Sequence, residues 1–157
     1  METELSTADA LALRRLCEQY FYALDHNDAA AMIDCFAENC RYRVNMDPPV
    51  EMNGREEIES GFREPWNPRL FVGSNHTLSH HTLSVADGHV TGVAYAVAHL
   101  LLPSSGRKPI VVRGLRYDDE YVKEGGRWRM GIRIHNPLWQ YEVAATDIGL
   151  GQSGSQV

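Results

Sequence analysis

Tyr20-Phe21-Tyr22-Ala23-Leu24-Asp25-His26-Asn27-Asp28 is a stretch in which an apolar helix face ends in a carboxylate. Leu13, Leu16, Cys17, Tyr20, Phe21 and Leu24 recur at helical spacing, which predicts one buried stripe. Asp25 follows Phe21 by one turn and Cys17 by two, so its side chain points along that same stripe. An acid on a core face is costly unless something pairs with it. Histidines at 76, 80, 81 and 99 offer partners. An Asp that holds an imidazole is a way to build a base that works near neutral pH.

Upstream, Ser6-Thr7-Ala8-Asp9 has the form of a capping box and starts the helix near Thr7. Downstream, His26-Asn27 make a turn and Asp28 caps a second helix with Met32, Ile33 and Phe36 on its apolar face. Arg41 to Met46 alternates as a short strand, stopped by Asp47-Pro48-Pro49. Asn53-Gly54 turns into a third short helix that ends near Arg63. Pro65-Trp66-Asn67-Pro68 is a loop, and β structure comes after it. Strands are predicted at Asn75 to Val85, His89 to Leu102, Ile110 to Lys123 and Arg127 to Asn136. Asp87-Gly88 and Gly125-Gly126 are hairpin turns, and Ser104 to Pro109 is a loop. The Gly-, Ser- and Gln-rich end suggests one domain over 1–143 and a flexible tail over 144–157.

Helices first and long hairpin-connected strands afterwards imply an α+β fold, with helices on one face of an antiparallel sheet. Alternation assigns faces. Val93, Tyr95, Val97, His99 and Leu101 share one side of their strand; Gly92, Ala94, Ala96 and Ala98 share the other. Val111, Arg113, Leu115, Tyr117 and Tyr121 share a side, as do Trp128, Met130, Ile132 and Ile134. A sheet with large residues on one face and small ones on the other can curve around a cavity.

The 157 residues suffice for one sizeable core, with ordinary hydrophobic (43%) and charged (23%) fractions. A net charge of −6 and the lack of a basic stripe argue against nucleic acid or an anionic membrane as partner. The longest apolar run, Val93 to Leu102, is too short for a bilayer span. The acidic N-terminus lacks a signal-peptide core, so a cytoplasmic location is expected. Cys17, Cys35 and Cys40, without C-x-x-C spacing, read as structural thiols in a reducing compartment.

The chain resembles the nuclear transport factor 2-like superfamily, in its SnoaL-like and scytalone-dehydratase-like branch. The resemblance covers roughly 11–141. It is carried by Tyr20 to Asp28 with Met32-Ile33-Asp34-Cys35-Phe36-Ala37, by Asn53 to Ile58, by His76 followed by His80, and by Gly125-Gly126-Arg127-Trp128. It implies a cone-shaped barrel in which N-terminal helices pack on a strongly bent, mostly antiparallel sheet enclosing one hydrophobic pocket. It also implies that Asp25 orients a pocket base at His76, and that His99 is a second pocket histidine. The branch's carbonyl-polarising tyrosines fall at Leu24 and near Val44 here, leaving Tyr42 and Tyr117 as substitutes from other places.

Each functional reading has a plainer rival. Asp25 as a cap in solvent, His76 paired within the sheet and His99 as a core residue compete with the acid–base reading. His80 and His81 face opposite ways on a regular strand, so at most one reaches the pocket, and His80 is preferred. Trp66 is either a lid or packing. Arg113 is either a pocket anchor or a rim residue. His76-x-x-x-His80 lacks a nearby third ligand, and Asp25, His76 and His99 as a metal triad is a minor alternative, so no metal and no cofactor are expected. No G-x-S-x-G motif supports a nucleophile.

The expected activity is a cofactor-independent lyase (dehydratase-like) or isomerase, acting on a small apolar, aromatic or cyclic molecule. Asp25, His76 and His99 are the candidate catalytic groups; Tyr42, Trp66, Tyr117, Arg113 and His80 are the candidate substrate contacts. Elimination is preferred over isomerisation because of His99. The alternatives are a non-catalytic ligand-binding cone and the small subunit of a ring-hydroxylating oxygenase. A homo-oligomer, dimer or trimer, is expected because related folds pair through their sheets.

Overall fold

The computed structural model describes residues 5–63, 71–103 and 109–145. Trp66, loop residues 104–108 and most of the expected tail lie outside them. Ser6 caps α1 (Thr7–Asp25) by accepting the Asp9 N–H, and its hydroxyl donates to the Asp9 carboxylate. Leu13, Leu16, Cys17, Tyr20 and Phe21 are buried as one stripe; each fully buried Leu or Phe contributes about 1.5–3 kcal/mol. Asn27, at φ 54°, turns the chain, and the Asp28 carboxylate caps α2 (Ala29–Ile33) by accepting the Ala31 N–H at 2.9 Å. α2 has five residues, so it is too short to carry Phe36 on its face. Phe36 instead opens β1 (Phe36–Val44), which runs parallel to the last strand.

β1 ends at Val44, ahead of the prolines at 48 and 49, as the sequence pattern predicts. The chain returns as β2 (Val50–Asn53), antiparallel to β1, with the buried Tyr42 and Met52 opposite each other. α3 (Gly54–Arg63) buries Ile58. β3 (Gly73–Ala86), β4 (His89–Leu101), β5 (Pro109–Glu124) and β6 (Arg127–Ala144) then form an antiparallel run. Both hairpin turns are where the sequence predicts them: Asp87-Gly88 and Gly125-Gly126 have positive φ at both positions, which matches the twist of the flanking strands. The order β2-β1-β6-β5-β4-β3 makes one open, mixed six-stranded sheet, with only the β1–β6 pair parallel.

β6 continues past Asn136 because β5 offers it partners as far as Pro109. Pro137, which has no N–H for the ladder, sits where the register shifts between Gly114 and Leu115. Two further shifts decide which side chains face inward. In β3 the register skips Ser79, between Leu78 and His80. In β6 it skips Gly131, opposite Glu120 and Tyr121. One extra residue in a strand turns every later side chain to the other face. Past Ser79, His81 turns inward and His80 outward; past Gly131, Arg133 and His135 turn inward. The expected sharing of one face by Trp128, Met130, Ile132 and Ile134 therefore breaks after Met130.

The small face of β4 is the inner one: Ala94, Ala96 and Ala98 are buried, and a Cβ on Gly92 would meet the Tyr121 ring at 2.8 Å. Large groups from α1, β3 and β5 take up that room. His99, on the opposite phase, is exposed on the outer face.

Candidate active site

Asp25 is the last residue of α1, and its side chain reaches the start of β3. Oδ1 meets His76 Nδ1 at 2.6 Å and accepts the Ser74 hydroxyl at 2.8 Å; Oδ2 accepts the His76 backbone N–H at 2.8 Å. A carboxylate can only accept, so Nδ1 carries the hydrogen and Nε2 is left with a free lone pair. The two side chains are 11% and 10% exposed. Burial pushes the Asp25 carboxyl up, but the hydrogen bonds from His76 and Ser74 outweigh it and leave it below its ordinary value. That balance is expected, since each hydrogen bond to a charged group contributes about 1.5–3 kcal/mol. Phe21, one turn before Asp25, stacks flat on the imidazole at 5.5 Å between centroids. α1 thus supplies both the acceptor and the plate that fix the ring.

His76 lines a cavity of about 120 Å³. Leu24, Phe62, Phe71, Ala98, Leu100 and Leu115 give it apolar walls, and Tyr20, Tyr42, Tyr117, Ser74, Arg113 and His135 give it polar ones. Burial keeps the Tyr20, Tyr42 and Tyr117 phenols protonated, well past their ordinary range. Arg113 is half-buried and donates to Gln140 at 3.1 Å. Of the residues singled out from sequence, Asp25, His76, Tyr42, Tyr117 and Arg113 therefore meet at one place.

His99 and His80 do not. His99 is on the outer face of β4, since Ala98 and Leu100 hold the phase that lines the cavity. His80 is exposed and packs beside Tyr95, because the shift at Ser79 turns it outward. Both expected pocket positions are corrected accordingly. Trp66 lies outside the described residues.

Three further polar residues stand at or behind the cavity wall, and two of them, Arg133 and His135, escape a reading by strict alternation. His135 reaches the cavity wall and meets Tyr42 Oη through Nδ1 at 3.0 Å. Burial, then the Arg133 and Arg113 charges, push its pKa down to about 3, so it is neutral. Arg133 and Asp119 form an ion pair at 2.7 and 2.8 Å with both side chains 0% exposed. The Arg133 guanidinium lies 4.3 Å from the Tyr20 ring centre and 4.5 Å from that of Tyr117, two rings that meet edge to face, behind the cavity wall. Tyr121 donates to Asp119 and is joined by His81 and Cys17. Asp119 has the parity of Arg113 to Tyr121, so alternation can find it; Arg133 and His135 lie beyond the Gly131 shift, where alternation misleads. Cys17, Cys35 and Cys40 are buried and free. Among the described residues no three His, Cys, Asp or Glu side chains are grouped to hold a metal ion, and no helix is long and apolar enough to cross a membrane.

Helices packed on an open, bent sheet around a side cavity define the nuclear transport factor 2-like cone. The sequence profile of the SnoaL-like domain family matches residues 6–134, and the chain belongs to that family. No curated protein sequence matches it. Similar solved structures include a proposed scytalone dehydratase from Novosphingobium aromaticivorans, 22% identical, with a TM-score of 0.71 over 92% of this chain and 95% of that one. Hexachlorocyclohexane dehydrochlorinase LinA-type3 from Novosphingobium barchaimii is 14% identical, with a TM-score of 0.76 over 88% and 92%. A proposed aromatic ring hydroxylase from Novosphingobium aromaticivorans is 19% identical, with a TM-score of 0.70 over 90% and 96%. At these identities the likeness is one of fold.

Proposed function

We propose that the protein is a lyase or isomerase that uses Asp25 and His76 as an acid–base pair on a small, mostly apolar molecule. The observation that carries this is the 2.6 Å Asp25–His76 contact beside the cavity. It fixes the tautomer that leaves Nε2 basic, and Asp25 stabilises the imidazolium once a proton is taken. The cavity is of the order of one that takes a benzene ring, so a single-ring or smaller substrate is favoured. Two structural neighbours bear the names of eliminating enzymes, a dehydratase and a dehydrochlorinase, which supports elimination. The preference drawn from His99 has no basis now that this ring faces outward, so His76 itself passes the proton to a leaving group or to another carbon.

The test is elimination and deuterium exchange across a panel of small cyclic ketones and phenols, with wild type and His76→Ala. Activity in the wild type that falls about 100-fold or more in the variant supports the reading; equal rates in both refute it.

A second reading draws on the outer face, where Trp139 (50% exposed) and Tyr141 (54%) stack on each other, and on the neighbour named as a ring hydroxylase. It makes the chain a small subunit or a homo-oligomer joined through its sheet. Gel filtration of the native protein separates the two: a larger co-purifying chain supports the subunit, and a multiple of 17.7 kDa supports self-association.

A further inference from the structure

Arg113 brings to the cavity a positive charge that the Asp25–His76 pair does not use. It stands on the inward phase of β5, between Ala98 on β4 and Gln140 on β6, and lines the cavity together with His76. Its charge is felt by Tyr117 and His135, two other residues of the wall. The side chain makes one hydrogen bond, from Nε to Gln140 Oε1. Its two terminal nitrogens have no partner among the described residues, and they stay accessible; the partnerless Arg133 Nη1 and His135 Nε2, by contrast, are sealed.

The other arginines show how unusual that is. Among the described residues eight of them hold a carboxylate, Arg133 included. Arg15 and Arg41 hold none but are exposed, where water serves them; Arg113 holds none and is half-buried. Carboxylates are not scarce, with 21 acidic residues against 15 basic ones. Taking a cation partly out of water without a counter-charge is costly. Burial accordingly pulls the Arg113 pKa down, with Tyr117 opposing, yet a guanidinium stays charged at neutral pH. The rest of the described lining adds no fixed charge, because its phenols stay protonated and His135 is neutral. The cavity is thus apolar along its walls and positive at one point. With Nε held by Gln140, the two free nitrogens form a planar fork that matches the two oxygens of a carboxylate.

We propose that Arg113 is the substrate anchor of this cavity, and that the substrate is a small organic acid bound as its carboxylate, with its apolar body against Leu24, Leu100 and Leu115 and its acidic C–H toward His76 Nε2. The inference rests on the reading of the cavity as the place where Asp25 and His76 act, and it narrows the substrate class. The carboxylate takes no part in the bond changes. It fixes which carbon faces the base, and a neutral analogue of the same shape loses that hold.

The test measures, by calorimetry of the full chain at neutral pH, the binding of benzoate and of benzamide, its neutral counterpart in shape. Wild type should bind benzoate about tenfold or more tighter than benzamide, as expected for a charge-assisted pair. Arg113→Met should bind the two alike, and Arg113→Lys should keep a reduced preference, since an ammonium has the charge without the fork. Arg113→Gln, which can still donate to Gln140, takes the place of Arg113→Met if that variant does not fold. His76→Ala should keep the wild-type preference. A wild type that binds neither compound, or binds benzoate no tighter than benzamide, overturns the proposal. So does a preference that survives loss of the Arg113 charge, or one that His76→Ala abolishes, because the imidazolium is then the partner of the anion. If His76→Ala turns over the active panel compounds as fast as wild type while the preference still depends on Arg113, the acid–base reading fails and the anion site stands.

Discussion

Two carboxylates that hold a nitrogen side chain sit against α1, and they differ in what they leave free. Asp25–His76 joins the end of the helix to the first strand of the antiparallel run, about one-tenth exposed and beside a cavity. Asp119–Arg133 joins β5 to β6 with both side chains sealed from solvent and the guanidinium against the rings of Tyr20 and Tyr117. In the first pair the carboxylate takes three hydrogen bonds and the imidazole keeps a free lone pair. In the second the carboxylate is met by two guanidinium nitrogens and the Tyr121 hydroxyl, and no basic lone pair is left over. The lesson is that the proposed acid–base pair and the structural ion pair are told apart by whether a basic lone pair is left uncommitted beside a cavity.

Substitutions should pull these roles apart. Asp25→Asn presents an amide where His76 needs an acceptor and favours the wrong tautomer; turnover of an active panel compound should fall by about 10³-fold or more, with a loss of about 1–3 kcal/mol in a urea melt as the charge-assisted hydrogen bonds go. Asp119→Ala should do the reverse, destabilising the fold by about 3–5 kcal/mol because Arg133 is left buried and uncompensated. Asp119→Leu with Arg133→Met should recover much of that loss, since a buried pair replaced by apolar residues is often neutral. Acid should weaken the fold through His135, whose folded pKa is about 3. Between about 6.5 and 3 the unfolded chain binds a proton that the folded ring refuses, so stability falls with pH, at most about 1.4 kcal/mol per unit. Urea titrations over that range should show the slope, and His135→Phe should flatten it. Asp25 adds its own loss only below its unfolded value near 3.8, where its hydrogen bonds to His76 give way. Smallest of all, Ser74→Ala removes one of the three bonds to Asp25 and should cost about 1 kcal/mol, seen as a rate loss of under tenfold.

The helical stripe and the inward aim of Asp25 are legible because α1 is regular from its Ser6 cap to its last residue, so counting by turns places each side chain. The hairpins are legible because glycine marks both turns. Alternation cannot supply phase after an interruption. Neither Ser79 nor Gly131 announces itself as an extra residue, yet each reverses the faces of the residues beyond it. That is why a regular strand favours His80 where His81 is the inward ring, and why it groups Ile132 and Ile134 with Met130 and passes over Arg133 and His135. His99 fails for another reason: its large-residue face looks like the natural lining, but facing elements bring the bulk, and the small side of β4 is the one they fill. β2 stays hidden because four residues after a proline turn are too few to show a pattern, and the far half of β6 because the ladder admits Pro137 at a register shift.

The backbone N–H and the ring of His76 end on the two oxygens of one carboxylate. Docking of the first helix and arming of the histidine are thus a single event. A partly assembled chain, its helix not yet seated, carries an imidazole like any other in water, and the chemistry proposed for it would switch on only with the completed fold.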